Sequence, residues 1–509
     1  MADMKRWMYS PLGCVLVFFI GCSGDEKVQA RVDFDPVPMP DDWSTAGPGG
    51  PTTSFSDGDL FAPCAYLNGG EGTAEHQNLV GMHDGWVMFP WAPESGGGGI
   101  SFFDMSDPCN PVKVGEAAAE TMRESHTLPT GIVNGREYLA VGHHTDNSTG
   151  GIGLFDITDP MNPEWVSSVD FPGYDYPDAY FRVALSTTWV GDRLFVAAGL
   201  LGVITVDVSD PLNPVIANEV VDPGHIVGTF HVVGDVGIAS SAGLARVMVY
   251  DISDPDNWDV RADFSVSTDF ENFTNYYFSN LGGEYMFFAR KNNGGGPVAW
   301  DFTDPDEPVF AGALEVTDGD GGYVFRHNDL LFQGESNFGV MYDFSDPTNI
   351  SELARFELPG DLDTVTPMGN VAIVSVDEKG DPGKATGVFP FDTQPDTVAP
   401  AVRWNRPANG QSWVKPTTAI GIALDEQVEP RSAHAGSIRV WTEDGTSVSG
   451  RYYTLEAAIN FVPDEPLPAN TTIWVEVPSG GVADVSGNPV DQTTRFAFST
   501  GGTVKPWPN

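Results

Sequence analysis

The stretch LFDITDP (154–160) closes a run, GIGLFDIT (151–158), whose apolar residues occupy both alternating faces before an Asp-Pro pair stops it. A strand apolar on both faces is sandwiched between layers. The Asp side chain can accept backbone N–H groups of a turn. Pro presets φ for the second turn position and donates nothing to a ladder. The phrase recurs as FFDMSDP (102–108), TVDVSDP (205–211), VYDISDP (249–255), AWDFTDP (299–305) and MYDFSDP (341–347), with a worn copy at PFDTQPD (390–396). The leading aspartates, Asp104, Asp156, Asp207, Asp251, Asp301, Asp343 and Asp392, stand 42–52 residues apart. Such a period predicts a repeat architecture with about four short strands per repeat. The expected fold is all-β: a seven-bladed β-propeller over residues 60–395. Each blade runs inner strand, second strand, third strand, Asp-Pro turn, outer strand. No outer strand follows Asp392, so residues near Leu60–Tyr66 are expected to supply it and close the ring.

These motifs resemble the LVIVD-repeat family of bacterial β-propellers, whose repeat ends in a similar Asp–x–Ser–x–Pro turn. The resemblance covers roughly residues 60–395 and implies a structural class of surface proteins rather than one activity. Residues 396–500 change character. The Asp-Pro phrase is absent, and seven short strand segments, from AVRWNRPANG to TTRFAFST, predict a small β-sandwich. PANG (407–410), LDEQVEP (424–430), FVPDEPLPANTTIWVEV (461–477) and DVSGNPV (484–490) resemble the SbsA-type bacterial Ig-like domain. That resemblance implies a spacer or adhesive module. Residues 501–509 are a tail.

Residues 1–22 read as a targeting segment, with Lys5 and Arg6 ahead of a short apolar core, Leu12–Ile20. The core is shorter than the ~20 residues a permanent membrane helix needs. It ends in Phe19-Ile20-Gly21-Cys22, which resembles a bacterial lipobox and implies lipidation at Cys22. The expected location is therefore extracytoplasmic and lipid-anchored, at the outer membrane or cell surface. Residues 23–58, rich in Gly, Pro, Asp and Ser, read as a flexible tether. Outside the cytoplasm Cys64 and Cys109 are either a disulfide tying the start of the propeller or two buried thiols.

The 509-residue chain carries 25 Lys+Arg against 71 Asp+Glu, a formal charge of −46. Phosphate backbones and anionic membrane surfaces would repel it, which excludes a nucleic-acid partner and leaves the membrane to the lipid anchor. No cofactor is identified. Asp318-Gly319-Asp320 is the best local calcium candidate, though it lacks the remaining ligand spacing of a calcium loop.

In a propeller the inner strand starts at the face where the second strand ends, called the upper face here. That register gathers His76, His126, Arg182, His231, Tyr277 and Arg326 from inner strands. From loops after second strands it adds Trp91, His143, His144, Arg290, Glu335 and Asp377. His76, Trp91, His126, Arg182, His231, Tyr277, Arg290 and Arg326 form the expected ligand site, an aromatic and cationic face for an anionic or polar ligand. The favoured function is non-enzymatic binding of an extracellular glycan, peptide or envelope protein. The alternative is a metal-assisted hydrolase at the channel mouth, since histidine is both a metal ligand and a general base. The leading aspartates are assigned to turn capping instead. Cys22→Ala is expected to move the protein from the membrane to the soluble fraction of expressing cells. Equal solubility of the two forms would remove the anchor.

Overall fold

The computed structural model describes residues 47–68, 79–94, 96–145, 147–217, 224–266, 276–291 and 294–507. The signal segment, Cys22 and His76 lie outside them.

The third strands are buried along most of their length, as their apolar sequence requires: every residue of Gly150–Asp156 and of Thr386–Pro390 is buried, and in the others the closing Asp is half-buried. Each has a second strand on one side and an outer strand on the other. Outer strands such as Glu164–Asp170 carry the exposed positions. Seven four-stranded antiparallel sheets of this kind follow one another, starting with Gly81–His83, Trp86–Trp91, Gly98–Asp104 and Val112–Ala119. The seventh contributes Thr364–Met368, Val371–Ser375 and Thr386–Pro390. Its fourth strand is Ala65–Leu67, paired antiparallel with Thr386–Pro390, so the segment just before the first blade closes the ring, as expected for residues near Leu60–Tyr66.

Apolar side chains fill the gap between every successive pair of sheets. Phe102 of the first packs with Leu139 and Phe155 of the second. Phe332 of the sixth packs with Val374 and Phe389 of the seventh. Val371 and Ile373 of the seventh pack with Val87 and Phe89 of the first. This closed circuit of interfaces is the β-propeller.

The repeated phrase does the work its chemistry suggests. The leading Asp accepts the backbone N–H two residues on in all seven copies, from Asp104 with Ser106 (2.9 Å) to the worn Asp392 with Gln394 (3.0 Å). In the six full copies the second Asp repeats the bond, as Asp107 does with Cys109 and Asp346 with Thr348. These turns lie on the lower face, opposite the loops expected to bind ligand. Cys64 and Cys109 are joined by a disulfide, Cα to Cα 5.1 Å, which ties the closing strand to the first blade's turn.

Residues 47–58 belong to the segment expected to be a tether, yet they run along the lower face. Gly47 N donates to Asp84 O (2.6 Å), Thr52 N to Ser106 O (3.2 Å) and Phe55 N to Thr393 O (2.8 Å). Their lack of periodicity reflects pairing with turns rather than with a ladder.

The C-terminal unit is a two-layer sandwich. Val402–Arg406, Ile420–Leu424, Ala458–Pro463 and Gly450–Leu455 form one sheet, and Arg439–Thr442, Thr472–Val477 and Thr494–Ser499 form the other. All seven strands fall in the expected segments, around a core that includes Ile422, Ile459, Val475 and Phe496. Trp507 of the tail packs against Trp441 and Trp474.

Rather than standing off as a spacer, the sandwich is seated on the propeller's lower face. Arg406 grips Asp235 with two bonds, Nε to Oδ1 at 2.9 Å and Nη2 to Oδ2 at 3.1 Å, and both residues are buried. Asn460 accepts from Gly234 N (2.8 Å) and donates to Val232 O (2.9 Å). The backbones approach so closely that a Cβ on Gly421 would lie 2.2 Å from Gly234 N. Breaking the buried fork–carboxylate pair on one side leaves Asp235 with Gln411 Nε2 at 3.2 Å and Arg261 at 3.8 Å, a poor match for a buried charge, whereas an exposed pair contributes little. Arg406→Ala is therefore expected to cost about 3 kcal/mol. Arg451→Ala, which removes the exposed pair with Asp192 (2.7 Å), should cost less than about 1 kcal/mol. Denaturant unfolding of both variants checks the contrast, and equal costs would refute it.

Candidate functional site

The propeller axis is closed from both ends. On the upper side, in the loop before the second blade, His126 stacks on Phe278 (ring centroids 4.4 Å), which stacks in turn on Tyr323 (4.6 Å, 8° between planes). His126 Nδ1 is bonded to the Tyr323 hydroxyl, and Nε2 lies 3.6 Å from Glu124 Oε1. All four side chains are buried. Burial also holds the Tyr323 phenol protonated. From below, the hairpin tip Thr454–Glu456 of the sandwich enters the axis beneath Leu79, Leu128 and Phe325. Asn280 Nδ2 donates to both Glu456 oxygens, at 3.2 and 3.1 Å. Burial pushes the Glu456 carboxyl up to about 7. The channel mouth is thus an aromatic plug.

Around that plug the upper loops carry a belt of rings. Tyr176 lies 6.2 Å from Tyr180, Tyr180 lies 5.1 Å from Phe181, and Phe181 meets Tyr277 edge-on at 5.9 Å. His144 packs against Tyr174 and Tyr176 behind them. Tyr180 is 46% exposed, and its neighbour Arg182 is exposed. The loop that bears them is braced from within. Buried Arg123 sits beneath the Tyr176 ring (5.3 Å) and donates to Glu94 O and Ala184 O, both at 3.1 Å. The Tyr176 hydroxyl donates to Glu94 Oε2 at 2.7 Å.

The belt ends against an acidic quarter. Lys291 Nζ lies over the Tyr277 ring (5.2 Å) and 3.5 Å from Asp363 Oδ1. Burial alone would lower its pKa, but Asp363, Asp320, Asp361 and Asp377 outweigh it and hold the ammonium charged. Deeper, Glu335 is fully buried and accepts at Oε1 from Gly296 N (2.8 Å) and the Tyr342 hydroxyl (2.9 Å). Glycine is required above it, because a Cβ on Gly295 or Gly319 would lie 1.7 or 2.3 Å from Oε2. The Asp318 carboxylate, one of the expected calcium ligands, is held by Arg355 at 2.8 and 3.3 Å.

Of the expected site residues, the structure places His126, Arg182 and Tyr277 on the upper side, with His126 buried. His76 lies outside the described residues, and Trp91, His231, Arg290 and Arg326 need correction. Trp91 is buried in the first blade and donates Nε1–H to Ser101 Oγ (3.0 Å). His231 sits mid-strand between the fourth and fifth blades, Nε2 2.8 Å from Ser279 O, where burial pushes its pKa down to about 4 and keeps it neutral. Arg290 ends a second strand as expected, but it is 1% exposed and faces Glu315 at 3.5 Å. Arg326 lies at the lower end of its four-residue strand, donating to Asn328 O (2.8 Å) and Gly282 O (3.2 Å) in the lower turns. The anticipated arginine cluster therefore does not form. His143 and His144 point to opposite sides of their strand, His143 toward Asp170 (3.2 Å). Tyr176, Tyr180 and Lys291 were not anticipated. The aromatic density of YDYPDAYF (174–181) in a loop between an outer and an inner strand is the signal that marks them.

Residues 396–500 match the bacterial Ig-like domain family. No curated protein sequence matches the chain. Among solved structures, the chain is similar to a protein from Lactobacillus plantarum, at 13% identity over 59% of this chain and 98% of that one, with a TM-score of 0.45. It is also similar to the periplasmic gluconolactonase of Pseudomonas aeruginosa, at 11% identity over 62% and 88%, TM-score 0.45. A third is the Cps50 β-propeller domain of Myceliophteria thermophila, at 11% identity over 64% and 98%, TM-score 0.44. These likenesses concern fold alone.

Burial pushes the Glu335 carboxyl up to about 8, against the two donors at Oε1 that favour its charged form. A carboxyl whose folded pKa is raised stabilises the fold while protonated, and that contribution is lost as pH rises from the ordinary value of 4.5 through 8. Glu335→Gln keeps the acceptor and removes the titration. Relative to wild type it should gain roughly 4 kcal/mol between pH 5 and pH 9. Melting curves across that range test it, and a constant difference between the two proteins would contradict the burial argument.

Proposed function

We propose that this chain is an extracytoplasmic binding protein that recognises an uncharged or weakly charged glycan on the upper face of its propeller. The observation that carries the reading is the belt Tyr176–Tyr180–Phe181–Tyr277. It lies on loops of the face that the sandwich leaves uncovered, and a rigid ring supports it. Aromatic rings offer apolar faces for the C–H faces of sugars, and carboxylates such as Asp361 and Asp377 beside them accept hydroxyl hydrogen bonds. Loops on a fixed scaffold are a common place for such sites. An anionic ligand is disfavoured, because Arg290 is buried and Arg326 lies on the other face, which leaves Arg182 without the arginine partners a fork-lined anion site would need.

Bacterial Ig-like domains are typical of bacterial surface proteins. No helix among the described residues is long and apolar enough to cross a membrane. Both fit attachment through a lipid at Cys22, with presentation at the outer membrane or cell surface. The docked sandwich then works as a platform that turns the aromatic face outward.

A panel of neutral and acidic polysaccharides, screened by calorimetry, tests the reading. Tyr180→Ala combined with Tyr277→Ala should weaken binding of a neutral glycan at least roughly tenfold, since stacked aromatic pairs contribute about 0.5–1.5 kcal/mol each beyond their buried area. The melting temperature should change little, because neither ring is fully buried. Failure to bind any neutral glycan, or binding indifferent to the double substitution, would overturn it. Hydrolysis of a bound polysaccharide, lost in His126→Ala, would move the case to an enzyme.

A further inference from the structure

We infer that His327, Asp396 and Glu426 bind a divalent transition-metal ion, zinc or manganese, that fastens the sandwich to the sixth blade. The three residues come from three separate parts of the chain. His327 ends the inner strand Val324–His327 at the lower face, Asp396 lies in the link after the seventh blade, and Glu426 follows the sandwich strand Ile420–Leu424. They converge so that one donor atom from each lies within 4.8 Å of the others. His327 Nδ1 is 3.0 Å from Glu426 Oε2, and Nε2 is 3.9 Å from Asp396 Oδ2. Glu426 is 1% exposed and His327 7%.

Two independent features favour an ion over a simple histidine–carboxylate pair. The first is hydrogen bonding. Glu426 Oε1 has no hydrogen-bond partner among the described residues although it is buried. A buried carboxylate oxygen lacking a donor marks the place of a missing cation or water. The second is charge. Asp425 beside the site is matched by Arg403 at 2.7 Å. Asp396, Glu426 and the fully buried Asp484 have no Lys or Arg ion pair among the described residues. Burying several carboxylates together costs several kcal/mol unless a positive charge joins them, and a neutral imidazole supplies a ligand nitrogen but no charge.

The surroundings are built to orient ligands, as a metal's outer shell does. Asp396 Oδ1 accepts from Val398 N (2.9 Å), and Oδ2, which faces the site, has a long contact from Asn488 Nδ2 (3.5 Å). Asn488 Nδ2 donates to Asp396 O (3.2 Å) and to Asp484 Oδ2 (2.9 Å). The rings of Phe332 and Phe391 hold the imidazole edge-on. One imidazole nitrogen with two carboxylate oxygens suits zinc or manganese. Calcium and magnesium prefer all-oxygen sets.

The test uses the full chain, stripped with EDTA and titrated separately with zinc and manganese chloride. One ion should bind per chain with saturable affinity, and stripping should lower the melting temperature. Glu426→Gln and Asp396→Asn should each weaken binding by roughly 100-fold while circular dichroism shows a retained fold. Glu137→Gln, in the separate His83–Asp84–Glu137 group, should leave the stoichiometry unchanged. The wild-type titration decides the matter even if a variant fails to fold. No stoichiometric binding of either ion, with a melting temperature indifferent to EDTA, overturns the inference. Binding lost in Glu137→Gln but kept in Glu426→Gln overturns it as well.

Discussion

A ring of sheets holds together only when its last sheet finds a fourth strand, and here that strand comes from the other end of the propeller. Ala65–Leu67 contributes only three residues to Thr386–Pro390. Short pairing of this kind is cheap to break on its own, so it is reinforced on both sides. Cys64 is covalently tied to the first blade through Cys109, and Phe55 packs in the cluster between the seventh and first blades. Closure covers what would otherwise be an open sheet edge and completes the circuit of apolar interfaces. Every other feature of the molecule, from the upper loops to the lower seat of the sandwich, is positioned by that circuit.

The repeat phrase made the ring legible because its information is local. An Asp that caps its own turn and a Pro that ends a ladder need no distant partner, so they read the same in sequence as in space. The seven sandwich strands were legible for the same reason, since alternation and turn residues bound them. The site was read less well, because its assignment depended on which end of a short strand a residue occupies. In a four-residue inner strand an error of two positions moves a side chain from one face to the other, which is what happened to Arg326. His231 failed differently. Its strand is buried along its whole length, so a polar side chain there satisfies a neighbouring backbone instead of facing solvent. Residues 47–58 looked like a tether because pairing with turns leaves no periodic trace.

The scarcity of positive residues shaped the expectation of an arginine-lined pocket, and the structure shows a different use for them. Arg406, Arg403, Arg431, Arg451 and Arg326 all work at or beside the lower seam. Arg123 and Arg290 are buried beneath the upper loops. In a chain so acidic, cations are most valuable where two negatively charged units must touch, because contact there would otherwise concentrate like charge in a poorly screened space. The upper face is consequently left largely to tyrosines and carboxylates, with Arg182 and Lys291 set among them.

This distribution bears on the recognition proposed for the upper face. The axis is filled by the His126–Phe278–Tyr323 stack from above and by the Glu456 hairpin from below. A ligand therefore meets a surface rather than a passage, with rings spread along it. At the axis His126 is already committed to Tyr323, and between the fifth and sixth blades Glu335 Oε1 is committed to Tyr342 and Gly296. A reacting group must be free to exchange protons with substrate, whereas a binding face needs only fixed shape and fixed partners. The braces beneath Tyr176 supply that fixity. They hold the loop in place before a ligand arrives, so less ordering has to accompany binding.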